Sequence, residues 1–147
     1  MNLPLREIAA HARACYPQEC CGLVLADAKG VLRFVPIDNV AGASEASERS
    51  KLDGYVMDPQ QQYLAISEAE KAGGHLAVIM HSHPDVGAYF SAEDQRQALA
   101  TPDQPWYPGV QYLVVSVRSG RVDGARLYTW NPASRDFAEL ELTEIVK

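Results

Sequence analysis

Cysteine is scarce in this chain, and its three cysteines, Cys15, Cys20 and Cys21, do not make a disulfide framework: an odd number cannot all pair internally, and two are adjacent. They are expected to be reduced. Long apolar runs are missing too. Nothing approaches the ~20 apolar residues that cross a bilayer, and the opening MNLPLREIAAHARACYPQE carries charges where a signal peptide needs an apolar stretch. The expectation is a cytoplasmic protein with no membrane partner. Basic residues are in deficit, with 13 Lys+Arg against 19 Asp+Glu, a formal charge of −6 and a pI near 5.1. Such a field repels phosphate backbones, so no nucleic acid is expected as a partner. Internal repeats and low-complexity tracts are also absent. What is present is ordinary for a globular protein: 147 residues, 47% hydrophobic and 22% charged. A chain of this length folds as one domain, burying roughly 70% of its unfolded surface, with no room for a second.

Apolar spacing predicts the elements. Leu5, Ile8, Ala9, Ala12 and Cys15 recur at helical intervals over residues 4 to 15, and Pro17 ends the pattern. Residues 22 to 26 and 31 to 35 form two short apolar runs about the turn Asp27-Ala28-Lys29-Gly30, a hairpin. The polar stretch 41–54 reads as a surface loop long enough to move. Asp58-Pro59 caps a helix through about Lys71, closed by Gly73-Gly74. The apolar run 75–80, HLAVIM, suits a strand buried on both faces. Ser91 is placed to cap a helix to about Ala100, which the proline-rich TPDQPWYPG then breaks; strands follow at residues 110–117, 126–130 and 137–142. Helices and strands without regular alternation favour an α+β or α/β/α layered domain.

Chemistry concentrates directly after the buried strand, at His81-Ser82-His83-Pro84. In extended chain, residues i and i+2 point the same way, so both imidazoles can converge on one ion. Pro84 cannot continue a central ladder, which predicts that the pair sits at the strand's end. Downstream, Ser91-Ala92-Glu93-Asp94 starts a helix, and Asp94 in its first turn can supply a carboxylate. Two histidines, a carboxylate and an open position are the ligand set of a catalytic zinc. Helix capping alone also accounts for Ser91 and one acid, and the two readings are compatible. A metal-bound water needs a base, and spacing does not choose among Glu19, Glu45, Glu48, Glu68 and Glu93. Glu19 is distinguished only by lying just before an apolar strand, in Pro17-Gln18-Glu19-Cys20-Cys21-Gly22.

Glu19 followed by His81-x-His83-Pro84-x(6)-Ser91-x-x-Asp94 resembles the signature of the JAMM/MPN family of zinc isopeptidases. Pro17-x-Glu19-x-Cys21-Gly22-x-Val24 is similar to the matching run of bacterial members, and Tyr55-x-x-Asp58-Pro59 extends the likeness. It covers Leu5 to about Val117 and leaves the last thirty or so residues unassigned. The resemblance implies a single domain over residues 1–147, α/β/α layered and cytidine deaminase-like, with a mixed central sheet. It implies one Zn2+ per chain held by His81, His83 and Asp94, with Glu19 as general base and acid and Ser91 as oxyanion donor. It further implies hydrolysis of a peptide or isopeptide bond at the tail of a ubiquitin-like or sulfur carrier protein. A phage-tail-assembly type peptidase component and a non-catalytic MPN scaffold are the alternatives. Among other residues, Cys20 and Cys21 read as core or close packing at the site, His11 and His75 as packing or surface positions, and Trp106 and Trp130 as buried aromatics in preference to the lining of a substrate groove.

Overall fold

The computed structural model describes residues 2–42 and 50–142. Half of the expected 41–54 loop, with Glu45 and Glu48, lies outside the described residues.

Helix α1 (Leu5–Cys15) buries Ile8, Ala9 and Ala12, the stripe its spacing predicts. Strands β1 (Cys21–Ala26) and β2 (Leu32–Ile37) form the expected hairpin. Its turn is held by the Asp27 carboxylate, which accepts from the backbone N–H of Lys29 and of Val31. Helix α2 (Pro59–Lys71) starts where Asp58 accepts from the N–H of Gln60 and Gln61, with proline in the first turn.

Strands β3 (His75–Pro84), β6 (Gln111–Arg118), β7 (Arg121–Asn131) and β8 (Asp136–Leu140) complete a six-stranded sheet ordered β2-β1-β3-β6-β7-β8. Every pairing is antiparallel except β3 with β6, so the sheet is mixed. The parallel step needs a crossover, supplied by helix α3 (Ala92–Ala98) and a small hairpin of β4 (Leu99–Thr101) and β5 (Gln104–Pro105). Alternation along β1, β3 and β6 sends Val24, Val78, Met80 and Leu113 to one face, where Ile8, Ala9 and Ala12 of α1 cover them. Leu23, Leu25, Ile79 and Val114 go to the other face, against Ala69 of α2 and Ala98 of α3. The result is the expected α+β architecture in three layers.

Three expectations are corrected. The strand does not stop before the histidines: β3 runs through Pro84, with His81 to Pro84 paired to Val114 to Val117 of β6. Proline is tolerated there because β1 ends with Cys21 opposite His81, so that side of the strand no longer carries a full ladder. Helix α3 ends at Ala98, because Leu99 turns extended, and the proline-rich segment that follows contributes β5. Trp106 is 63% exposed rather than buried, standing just after β5 at the rim of a cavity of about 360 Å3 with Tyr55, Tyr107 and Tyr112 in its walls.

Candidate active site

Strand parity puts Ile79, His81 and His83 on the α2/α3 face of the sheet, and Cys21 and Glu19 share that parity on the neighbouring strand. Past the last formal β1–β3 pair, the two chains stay joined. The Ser82 N–H donates to the Cys20 carbonyl at 3.0 Å, and the Cys20 N–H donates to Ser82 Oγ at 2.8 Å. One further step of this register sets Glu19 across from His83, although 63 intervening residues separate them in the sequence. Asn39 holds the segment from the other side. Its amide donates to the Glu19 carbonyl at 2.9 Å and to the Gly54 carbonyl at 3.1 Å, while its own oxygen accepts from the N–H of Ala41 and Val56. The Glu19 backbone is thus fixed, and the residue is 5% exposed.

Across the cleft, the start of α3 is tied by a reciprocal capping box. Ser91 Oγ accepts the Asp94 N–H at 3.0 Å, and Asp94 Oδ2 accepts the Ser91 N–H at 3.1 Å. The cap aims the Asp94 carboxylate at the histidines, and Oδ2 lies 3.1 Å from His81 Nε2 and 3.2 Å from His83 Nε2. The two Nε2 atoms are 3.1 Å apart. Tyr55 stacks on His81 with ring centroids 4.6 Å apart, and Tyr89 meets His83 edge-on at 5.1 Å, which restrains both rings.

This triangle has an electrostatic requirement. His83 Nδ1 lies 3.0 Å from the Gly87 carbonyl, which can only accept, so Nδ1 carries a proton and, when the ring is neutral, the Nε2 lone pair turns inward. There it faces carboxylate oxygen at 3.2 Å, an arrangement that repels unless a cation lies between. The same field appears in the proton affinities. Burial pushes the Asp94 carboxyl up, but bonds to both imidazoles, their charge and the Ser91 contact more than offset it, holding the group well below the usual carboxylate range. For His83, burial acts downward, and the Asp94 and Gly87 bonds with the charges of Asp94 and Glu19 reverse it, leaving a raised affinity.

Three donors in a tetrahedral zinc site with bonds of ~2.0–2.1 Å stand about 3.3 Å from one another. The observed 3.1–3.2 Å spacings of His81, His83 and Asp94 fit that set. A Glu19 oxygen also lies within 4.8 Å of a ring nitrogen of each histidine, so Glu19 offers itself as a further donor or as a neighbour one water away. Glu19, His83, Ser91 and Asp94 open on a cavity of about 220 Å3, shared with Leu52, Asp53 and Tyr89.

Among the described residues, the other two candidate acids are not brought here. Glu68 is exposed on α2, and Glu93 is paired with Arg96. His75 is exposed at the start of β3. Asn39, Tyr55 and Ser82 were not singled out for these positions by spacing; only the serine's place between the two histidines and the tyrosine's in Tyr55-x-x-Asp58-Pro59 hinted at them.

Comparison with known proteins agrees with this fold. Over 100 residues the chain is 36% identical to tail tip assembly protein K of Escherichia phage N15, covering 68% of this chain and 35% of that protein. Over 102 residues it is 29% identical to desampylase of Haloferax volcanii, covering 68% and 63% respectively. The chain therefore spans about a third and somewhat under two thirds of these relatives. Among solved structures, a protein from Desulfitobacterium hafniense superposes with a TM-score of 0.67 at 28% identity, covering 92% of this chain and 84% of that one. A JAB1/MPN domain protein from Archaeoglobus fulgidus shares the fold, with a TM-score of 0.51 at 19% identity over 97% and 94% of the two chains. The family model described as prokaryotic homologs of the JAB domain matches residues 4–130, nearly the whole described fold, and this chain belongs to that family.

Proposed function

We propose that this protein is a zinc-dependent hydrolase that cuts a peptide or isopeptide bond at the C-terminal tail of a ubiquitin-like or sulfur carrier protein. One observation carries the reading: three buried donors at tetrahedral spacing, with the buried Glu19 carboxylate within 4.8 Å of both histidines and a cavity in front of them. His81, His83 and Asp94 would hold the ion. When bound, zinc supplies acidification of a water and polarisation of the scissile carbonyl. Asp94 is preferred to Glu19 as the third ligand because its oxygen already stands at the edge length of a tetrahedron from both histidine nitrogens. Glu19 takes that water's proton and returns it to the leaving amine. Ser91 accepts the helix cap through its oxygen, and its hydroxyl hydrogen stays available to the carbonyl oxygen as charge develops there.

The carrier-tail substrate rests on the resemblance to small bacterial members and on the desampylase relative. An extended tail of small residues suits the narrow cavity. The tail tip assembly relative favours a second reading, a general peptidase of phage-tail type. One experiment separates them: protein purified without chelator is assayed for zinc and for cleavage of a folded carrier with a Gly-Gly-X extension, its tail as a short peptide, and the carrier with valine at the last glycine. We expect His83→Ala to lose about one zinc per chain relative to wild type, and preferential cleavage of the folded Gly-Gly carrier. Equal rates on all three favour the general peptidase. Zinc without turnover leaves a scaffold, and folded protein without zinc removes the mechanism.

A further inference from the structure

We propose that His11, Cys15 and Cys20 form a second metal site, for one thiophilic ion of the zinc class, on the α1 side of the sheet. One donor atom from each lies within 4.8 Å of the other two, a grouping distinct from the histidine pair. His11 and Cys15 are four residues apart on α1 and so share a face. Cys20 follows after four intervening residues, within the Cys-x(2–4)-Cys spacing of zinc sites, and its parity on the β1 side turns it away from Glu19 and towards α1. Cys15 Sγ is 4.0 Å from either ring nitrogen of His11. A tetrahedral ion with Zn–S of ~2.3 Å and Zn–N of ~2.0 Å needs donors about 3.5–3.8 Å apart, so the cluster closes by roughly 1 Å through side-chain rotation.

The protonation states suit a ligand set. Burial lowers the His11 affinity for a second proton, and the Cys21 carbonyl accepts from its ring, leaving a neutral imidazole with one lone pair to give. Cys20 donates its S–H to Cys15, which brings the Cys15 thiol down to about 7, so one thiolate is at hand at neutral pH. A cavity of about 290 Å3 lined by these three residues and Asp38 gives access from solvent and room for a fourth ligand, water or carboxylate. The bond to Cys15 and burial push the Cys20 thiol well up, so an incoming ion displaces its proton; two sulfur donors and an imidazole select soft ions such as zinc over magnesium or calcium. Bound there, the ion would tie the last turn of α1 to the residue next to Glu19. None of this depends on the hydrolase reading, because neither cysteine takes part in it.

The donor sets differ in a measurable way: the His81, His83 and Asp94 group contains no sulfur, so thiolate-to-cobalt charge transfer in the near ultraviolet reports the proposed site alone. Reduced, metal-free protein is titrated with Co2+ without oxygen. We expect a near-ultraviolet band that saturates at one Co2+ per chain in His83→Ala, reaches the same amplitude in wild type, is removed by Zn2+ and is lost in Cys15→Ser. Because Cys20 is buried and its replacement threatens folding, the half-exposed Cys15 and a His11→Asn variant carry the test, with melting curves to show that both remain folded. Cobalt uptake by wild-type protein without the band, or the full band in folded Cys15→Ser, overturns the proposal.

Discussion

Glu19→Gln separates proton transfer from metal binding. The amide has nearly the size of the carboxylate and can keep hydrogen-bonding, so the backbone bonds that hold the segment, from Asn39 to the Glu19 carbonyl and between Cys20 and Ser82, are untouched. The triangle of His81, His83 and Asp94 does not include Glu19, and its 3.1–3.2 Å spacings are set by β3 and the α3 cap. Zinc content should therefore match wild type, and the melting temperature should hold or rise, since an ionisable side chain at 5% exposure is replaced by a neutral one. Only turnover should fall. A positioned general base contributes about 10²–10⁴ in rate, equivalent to roughly 2.7–5.5 kcal/mol of transition-state stabilisation. The loss should appear in kcat, with KM little changed, because the carboxylate acts on the reacting water and not on the carrier. The assay is single-turnover cleavage of the folded carrier, followed by mass spectrometry, with zinc measured on the same preparation. A zinc-loaded Glu19→Gln protein with wild-type kcat would refute the assignment of the base, and loss of zinc in that variant would make Glu19 a ligand.

Ser91→Ala removes the acceptor for the Asp94 N–H, so it should cost about 1 kcal/mol of stability and, if the hydroxyl holds the oxyanion, a further 10²–10³ or so in kcat; denaturant unfolding with an unchanged kcat would reduce Ser91 to a cap. Burial, aided by Tyr107, pushes the Tyr112 phenol up to about 12, and its hydroxyl has no hydrogen-bond partner among the described residues. A raised acid keeps in the fold a proton that the unfolded chain sheds above about pH 10, so stability is whole below that point and declines as pH rises towards 12. Tyr112→Phe should be near neutral at pH 7 and lose less stability than wild type between about pH 9 and 11, whereas parallel denaturation curves would count against this account. Gly22→Ala places a Cβ 2.4 Å from Phe34 Cε1 and 2.9 Å from the Val35 carbonyl oxygen, and should cost roughly 1–3 kcal/mol in thermal or denaturant unfolding. Wild-type stability there would mean that β2 yields more easily than its pairing indicates.

Local chemistry was legible in the order of residues. Apolar spacing marked α1, Asp27 marked the hairpin turn, and Asp58-Pro59 marked the start of α2, because each is decided within one or two turns of chain. The pair His81 and His83 was legible for the same reason, since alternation in a strand puts i and i+2 on one side. The serine three residues before Asp94 likewise announced its cap. The extent of β3 was only half legible: Pro84 reads as a stop and is the strand's last residue, but the apolar run 75–80 did not show that His81 to His83 are themselves paired to β6. Nor could spacing select a carboxylate. Glu68 and Glu93 were as eligible as Glu19 until the antiparallel register of β1 on β3 set Glu19 across from His83 and left Glu68 on an exposed helix face. Likewise, nothing in the sequence joined His11 and Cys15 on a helix to Cys20 on the far side of a turn. Such meetings depend on long-range pairing and layer packing, whose free energy is shared among many residues, and no short window of the chain contains them.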